Sequence, residues 1–201
     1  PQYGNSFEGG AITTTNPELA ERMRLIRNFG FAGYDRVIHL GTNGKMSEAC
    51  AAMGLTSLEA APCFTERNRE NLEQYRRELS SFPGLQLLPV PAGEHSNLQY
   101  VVLEIDPENF GLTRDELLQV LHAENILARR YFYPGCHRME PYLSEPESWP
   151  IPLPVTEAVV ERVLQLPTGT AIQPADINKI CEVFQRAIEQ APQIRQHLAR
   201  A

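Results

Sequence analysis

The sequence contains very little lysine. Lys45 and Lys179 are the only lysines among the 18 basic residues of this 201-residue chain. Lys179 falls on the polar side of a predicted helix, where a solvated role is expected. Lys45 falls in a loop flanked by Gly41 and Gly44. Any chemistry that needs a lysine amine therefore has two candidate residues in this chain.

Positive charge is scarce overall, and long apolar runs are lacking. The formal net charge is −7, which argues against nucleic-acid binding because that needs a basic surface. No apolar run approaches the roughly 20 residues of a membrane-spanning helix. The first residues, PQYGNSFEGG, show neither the basic nor the apolar region of a signal peptide. We expect a cytoplasmic protein without a membrane or nucleic-acid partner.

Familiar site motifs are also missing. The four cysteines lie far apart and lack C-x-x-C spacing, which favours reduced thiols over a disulfide framework or a zinc site. They are Cys50, Cys63, Cys136 and Cys181. Neither G-x-G-x-x-G, nor a phosphate-binding loop with Lys-Ser/Thr, nor G-x-S-x-G occurs. We expect no metal site.

Enough apolar sequence is present for a folded domain, since hydrophobic residues make up 42% of the chain. Residues 7–15 predict a short strand, and Asn16-Pro17-Glu18 predicts a helix start, with the helix reaching about Asn28. Residues 29–45 predict a long loop. Residues 46–80 predict a helix that Pro62 should kink or split, because proline removes an amide donor.

From residue 85 onward, strands and helices are predicted to alternate. The expected strands are 85–90, 98–105 and 126–133, with a short strand or turn at 166–169. The expected helices begin at the Thr113–Glu116 capping box, at Thr156 with Val163 and Leu164 on its apolar side, and at Pro174. Residues 134–154 predict a loop. This order predicts an α+β domain with helices on a small antiparallel sheet, whereas the first strand has no sheet partners of its own.

Two glycine-containing segments are candidates for binding. FEGGAITT has the pattern of a glycine turn before a strand. HLGTNGKMSEACAAMG, residues 39–54, places Asn43 and Lys45 in a loop before a predicted helix. An amide, a cation and a helix N-terminus together suit an anion such as phosphate. The alternative is that Gly41 and Gly44 only permit the turn while Lys45 is solvated, and spacing does not decide between the two.

A third candidate segment is RRYFYPGCHRMEPY, residues 129–142. Arg129 suits bidentate recognition of an anion, and Tyr131 and Tyr133 suit stacking against a ring. Alternatively, the two tyrosines share one face of a strand because they are two residues apart. His137 is either a contact of the same site or an ordinary surface-loop histidine.

These segments, in this order and spacing, resemble the DegT/StrS family of sugar-nucleotide aminotransferases over about residues 5–185. The quoted features are FEGGAITT, ERMRLIRNFGF, GYD, LGTNGKMSEACAAMGLTSLE, ARRYFYPGCHRMEPY, LPVTE and VLQLPTGT. Within the family, they look most like enzymes that act on dTDP-4-keto-6-deoxyglucose.

The resemblance implies an α/β, fold-type I enzyme that uses pyridoxal 5'-phosphate (PLP). Residues 1–62 would be the tail end of the PLP-binding large domain with its long active-site loop, and residues 63–201 a small C-terminal α+β domain. The complete enzyme would be a homodimer with shared active sites. It would move an amino group, with glutamate as the expected donor, to a keto-deoxysugar nucleotide in polysaccharide or deoxyaminosugar biosynthesis.

The resemblance also implies roles for individual residues. Asn43 matches an asparagine that reaches the cofactor phosphate of the neighbouring subunit, and Lys45 matches a basic position beside it. The loop containing Tyr133 and His137 matches one that borders the sugar substrate. We therefore expect substrate contacts from the segment that also carries Arg129 and Tyr131.

The sequence departs from the family at the catalytic lysine. That lysine lies six residues before the glutamate of the E-G-G turn, and counting back from Glu8 gives Gln2. A glutamine amide neither forms a Schiff base nor acts as a base, so no catalytic residue is expected in this chain. The front half of the family fold also has no counterpart here.

Three interpretations remain open. The chain is the C-terminal portion of a sugar aminotransferase, or a lysine-less, non-catalytic homologue that binds a nucleotide sugar or an active partner subunit. The third is a lyase-like relative that uses pyridoxamine phosphate, which ranks last because Gln2 is a poor base.

Overall fold

A computed structural model describes residues 9–144 and 152–200 of the chain. It divides into two compact units, Pro1–Pro62 and Cys63–Ala201. Within the described residues, no helix is both long enough and apolar enough to cross a membrane.

The first unit contains helix α1, Pro17–Arg27. The Asn16 side chain accepts a hydrogen bond from the Leu19 N–H at 3.0 Å, and Pro17 occupies the first turn. These are the N-cap and N1 preferences of helices, so the predicted helix start is confirmed. Beyond the helix, Phe29 and Gly30 both have positive φ angles, 57° and 81°, which turns the chain out of the helix.

The strand predicted at the start of the chain is wrong for its described part. Residues 9–15 lie in irregular structure. The described residues of the first unit contain only two isolated bridges, Asn28–Asn43 and Phe31–Val37, and no named strand. A strand is stable only where a neighbour pairs with its N–H and C=O groups. Residues 7 and 8 of the prediction lie outside the described residues.

Helix α2, Glu48–Leu79, is the longest helix of the described chain. The Ser47 hydroxyl accepts a hydrogen bond from the Cys50 N–H at 3.2 Å near its start. The helix continues through Pro62, so of the predicted kink or split, the split is wrong and the kink stays a prediction. Pro62 has no N–H to donate to the Leu58 carbonyl, and the helix accommodates that loss.

The second unit is built on a three-stranded antiparallel sheet in the order β1-β2-β3. The strands are β1, Leu85–Leu87; β2, Val101–Ile105; and β3, Val163–Leu166. Leu103 of β2 pairs with Leu87 of β1 and with Leu164 of β3. Alternate residues of β2 are fully buried, because successive side chains of a strand point to opposite faces.

Helices cover this sheet. They are α3, Pro107–Phe110; α4, Arg114–Ala123; α5, Pro154–Val160; α6, Pro174–Glu189; and α7, Ala191–Leu198. The Thr113–Glu116 capping box at the start of α4 is present as predicted. The core combines residues from α2, the sheet and the covering helices, among them Tyr75, Leu103, Ile105, Leu117, Leu121, Leu164, Ile177 and Phe184. The predicted α+β arrangement of helices and a small antiparallel sheet is confirmed.

Two further predictions for this unit are wrong. The strand expected at 126–133 is reduced to one bridge, Arg129–Gln165, because the chain turns immediately afterwards, where the Tyr133 N–H donates to the Arg130 carbonyl at 2.7 Å. The helix expected from Thr156 ends at Val160, and Val163 and Leu164 belong to β3.

Candidate functional site

The loop that carries Asn43 folds back onto the end of α1. The Phe29 N–H donates to the Thr42 carbonyl at 3.1 Å, and the Gly44 N–H donates to the Arg27 carbonyl at 2.9 Å. Asn43 forms a bridge with Asn28. The end of the helix therefore fixes the backbone position of Asn43.

Glycine is required at two points of this loop. A Cβ atom on Gly30 would lie 1.8 Å from the His39 carbonyl oxygen, and one on Gly41 would lie 2.4 Å from the Phe29 carbonyl carbon. A Cβ atom on Gly44 would find ordinary contacts, the nearest at 3.5 Å. The turn therefore requires glycine at position 41, as expected if Gly41 only permits the turn. Position 44 does not require glycine.

Asn43 and Lys45 both have exposed side chains. Lys45 Nζ lies 5.1 Å from the centroid of the Phe29 ring, a cation–π contact that orients the ammonium group without neutralising it. The following helix terminus is a weaker anion site than expected. Ser47 occupies the Cys50 N–H, and Glu48 adds a negative charge to the first turn. Asn43 and Lys45 are thus two groups of this loop that are open to an anion.

The first two candidate segments meet at one groove of about 690 Å³ in the first unit. The groove is lined by Gly10–Thr14, by side chains of α1 including Met23, Arg24 and Arg27, and by Thr42, Gly44 and Met46. The part of FEGGAITT that the structure describes therefore lies beside the Asn43 loop. Gln2 and Glu8 lie outside the described residues.

In the second unit, Arg129 lies at the sheet edge. Its backbone N–H donates to the backbone carbonyl of Gln165 at 3.0 Å, and its backbone carbonyl accepts from the Gln165 N–H at 2.7 Å. Its guanidinium carbon lies 5.6 Å from the Tyr131 ring centroid. Tyr131 stacks on Phe132, with ring centroids 5.0 Å apart. These three side chains are exposed, Tyr131 by 40% and Phe132 by 62%, so they form a cationic and aromatic surface.

Tyr133 has different surroundings. Its ring centroid lies 4.8 Å from the guanidinium carbon of Arg114 and 4.5 Å from that of Arg130. Arg130 in turn donates to Asp115 at 2.9 Å. Tyr133 and Tyr131 therefore do not share a strand face, because Tyr133 packs against arginines whereas Tyr131 stacks on its neighbour.

His137 is buried, with 7% of its surface exposed, so the surface-loop alternative is wrong. Its Nε2 lies 3.3 Å from Glu157 Oε1, and Arg138 donates to Glu157 Oε2 at 2.7 Å. Burial opposes ionisation of Glu157, but hydrogen bonds from the Leu153 N–H, His137 and Arg138 outweigh it and hold the pKa of Glu157 below its usual value.

Sequence reasoning missed Arg114 and Glu157. Arg114 is 2% exposed and donates to the Val160 carbonyl at 2.8 Å and the Val163 carbonyl at 3.2 Å. Glu157 lies within LPVTE, one of the family-like segments, but no nearby residue in sequence indicates its partners. Both contacts join parts of the chain that are distant in sequence.

Comparison with known proteins gives a consistent result. The model of the DegT/DnrJ/EryC1/StrS aminotransferase family matches residues 5–185. A dTDP-4-amino-4,6-dideoxy-D-glucose transaminase of Shigella dysenteriae is 39% identical over 142 residues, which are 70% of this chain and 38% of that protein. A protein of the same name from Escherichia coli is 33% identical over 179 residues, 89% of this chain and 48% of that protein.

The fold is also matched by a solved structure. The crystal structure of DesI in the presence of its TDP-sugar product is 44% identical, with a TM-score of 0.83 over 98% of this chain and 49% of that one. The chain thus spans about half the length, or less, of these relatives. Since the family model matches nearly the whole chain, this chain belongs to the DegT/DnrJ/EryC1/StrS aminotransferase family.

Proposed function

We propose that this chain is the C-terminal part of a PLP-dependent aminotransferase. The complete enzyme transfers an amino group from an amino acid, with glutamate as the expected donor, to a nucleotide-linked keto-deoxysugar. The observation that carries this proposal is the 39% identity to a dTDP-4-amino-4,6-dideoxy-D-glucose transaminase. A cytoplasmic homodimer that serves polysaccharide or deoxyaminosugar biosynthesis belongs to the same proposal.

The domain assignment is part of this proposal. Residues 1–62 form the tail end of the PLP-binding large domain, and residues 63–201 form the small C-terminal domain. The compact units Pro1–Pro62 and Cys63–Ala201 support this assignment.

The residues present fit the phosphate of the cofactor. When bound, PLP supplies the aldehyde and the electron-withdrawing ring that amino-group transfer needs. Asn43 provides an amide donor and Lys45 an ammonium group, both exposed in a loop held by α1. Such donors suit a phosphate dianion. In our proposal they hold the phosphate of the neighbouring subunit's cofactor.

The segment from Arg129 to His137 borders the nucleotide sugar in this proposal. The exposed guanidinium of Arg129 suits the negative diphosphate, and the exposed ring of Tyr131 suits stacking against a planar or sugar ring. Tyr133 and His137 belong to the same segment.

The described residues contain two lysines, and neither is suited to covalent attachment of the cofactor. Lys45 lies over Phe29 in the loop, and Lys179 is exposed on α6. Because Gln2 occupies the position expected for the catalytic lysine, we assign the proton transfers at the reacting carbon to no residue of this chain.

Gln2 favours one alternative function. A lysine-less homologue without catalytic activity would still bind a nucleotide sugar or pair with an active subunit. Such a protein keeps the substrate-bordering segment and the phosphate loop but makes no amino sugar.

One assay separates the two functions. The polypeptide isolated from its native source is incubated with PLP, glutamate and dTDP-4-keto-6-deoxyglucose, and the products are analysed by mass spectrometry. The aminotransferase proposal predicts equal amounts of an amino-sugar nucleotide and 2-oxoglutarate. Binding of the nucleotide sugar with neither product formed would support the non-catalytic alternative.

A further inference from the structure

The 130–138 loop, residues Arg130 to Arg138, is held at two separate points. Its first half contains Tyr133, and its second half contains Gly135 and His137. This inference rests on the proposed function, because it concerns how the loop is held for the nucleotide sugar.

At its second half, the loop is held by α5. Glu157 accepts contacts from His137 Nε2 at 3.3 Å and from Arg138 at 2.7 Å, and it also accepts from the Leu153 N–H at 3.3 Å. A carboxylate with several donors is held in one orientation, and charge-assisted hydrogen bonds are stronger than neutral ones. Glu157 therefore joins two loop residues to the first turns of one helix.

The other side of the His137 ring is also occupied. A Cβ atom on Gly135 would lie 3.0 Å from His137 Nδ1 and 2.8 Å from its Cε1. With Nε2 directed to Glu157, Nδ1 close to Gly135 and only 7% of the residue exposed, the imidazole offers little surface to a ligand.

At its first half, the loop is held by Arg114. This side chain is almost fully buried, is fixed by the Val160 and Val163 carbonyls, and has its Nε 2.6 Å from Asp115 Oδ1. Its guanidinium faces the ring of Tyr133, which Arg130 approaches as well. Cation–π contacts of a desolvated guanidinium are stronger than those at exposed sites. The guanidinium groups of Arg114 and Arg130 thus hold the Tyr133 ring in place.

We propose that Glu157 and Arg114 are positioning residues of the nucleotide-sugar site. They fix the loop through His137 and Tyr133, and this leaves the exposed Arg129 and Tyr131 as the side chains that meet the ligand. Tyr133 and His137 act by holding the loop and do not touch the nucleotide sugar themselves.

The test uses the complete native polypeptide and dTDP-glucose, a nucleotide sugar that lacks the reactive ketone. Glu157→Gln removes the charge but keeps the size of the side chain. We expect its Kd for dTDP-glucose to rise about tenfold, since one charge-assisted contact is lost. Its KM for glutamate should stay at the wild-type value. Glu182→Gln, an exposed acid on α6, is the matched control and should leave the Kd unchanged.

Two further variants test whether dTDP-glucose binding depends on the contacts that hold Tyr133 and His137. Arg114→Lys should weaken dTDP-glucose binding in the same way, because an ammonium lacks the planar face that packs on Tyr133. His137→Asn combined with Glu157→Gln should bind no more weakly than the weaker single variant, because both changes break one contact.

Three results would overturn the inference. They are a Glu157→Gln variant that binds dTDP-glucose like the wild type, a double variant that loses the sum of both single losses, and a wild-type protein that does not bind dTDP-glucose. The outcome is separate from that of the proposed function. A wild-type protein that binds the probe more tightly than Glu157→Gln but forms no amino sugar rejects the transamination proposal and leaves this inference in place.

Discussion

At the scale of single residues, Asn43 has the most direct predicted effect on the cofactor. Its position is fixed by pairing between its loop and the end of α1, and its side chain is exposed. Asn43→Ala in the complete enzyme should weaken PLP binding about tenfold, since one phosphate hydrogen bond is lost. The Kd for PLP measured by fluorescence titration checks this, with Asn178→Ala on α6 as the control. An unchanged Kd would remove Asn43 from the cofactor site.

Cys181 should be chemically inert in the folded protein. It is buried among the core residues of the second unit, and burial raises its pKa to about 12. Cys63 and Cys136 are exposed. Brief treatment of the native chain with iodoacetamide should therefore modify Cys63 and Cys136 but not Cys181, as peptide mapping by mass spectrometry would reveal. Equal modification of all three would contradict the described core.

The same thiol should make stability depend on pH. Its folded-state pKa lies above the ordinary value of 9.0, so the unfolded chain loses the proton first as the pH rises. The contribution of the protonated Cys181 thiol to the free energy of unfolding is complete below pH 9.0. It is lost between pH 9.0 and about pH 12. Unfolding in urea should thus become easier above pH 9.0, and the decline should be less steep for Cys181→Ala. A variant with the same slope as the wild type would exclude this cause.

At the scale of the elements, the helix starts were predictable because their signals are local. Asn16 with Pro17, Thr113 with Glu116, and Pro174 each lie within one turn of the helix they begin. A cap is a contact between neighbours in sequence, so it can be recognised there. The start of α7 was missed although Pro192 in its first turn is the same type of signal.

The strands were less predictable because pairing partners are distant in sequence. Residues 126–133 have the composition of a strand, but only Arg129 finds a partner in β3. Val163 and Leu164 fit an apolar helix face equally well, and their pairing with β2 decides the outcome. The contacts of the candidate site were hard to predict for the same reason, because Glu157 and His137 are 20 residues apart in the sequence.

Pro62 offers a direct test of the α2 helix. The helix runs through it although its ring removes one backbone hydrogen bond. Pro62→Ala should raise the free energy of unfolding by about 1–3 kcal/mol, because the Leu58 carbonyl regains its donor. Urea denaturation followed by circular dichroism measures this, and Ala61→Gly serves as a control for helix propensity. A destabilised Pro62→Ala variant would contradict a regular helix at this position.

At the scale of the whole molecule, the two units differ in how many apolar side chains they bury. Among the described residues 9–62, Gly30 alone is buried, so none of the apolar side chains in this range is buried. Six large apolar side chains of these residues are more than half exposed: Ile12, Tyr34, Val37, Leu40, Leu55 and Leu58. Residues 9–62 therefore lack the burial of apolar side chains that is the main source of folding free energy. The second unit contains the core.

The isolated 201-residue chain should therefore self-associate. Exposed apolar patches of this kind promote association, and size-exclusion chromatography with light scattering would detect it. Limited proteolysis should cleave residues 9–45 before it cleaves the second unit, because local stability follows buried contacts. A monomer that melts sharply and resists cleavage in the first unit would show that the chain is an autonomous domain.

The central claim is that this chain forms one part of a longer aminotransferase, and the intact mass of the native polypeptide tests it most directly. The chain spans 48% of one relative and 49% of one solved structure. We therefore expect a mass roughly twice the 22.6 kDa of the 201 residues. Sequencing such a polypeptide would also test whether glutamine stands at the catalytic lysine position, as Gln2 does in this chain. A native mass of 22.6 kDa would contradict the claim and favour a lysine-less partner subunit.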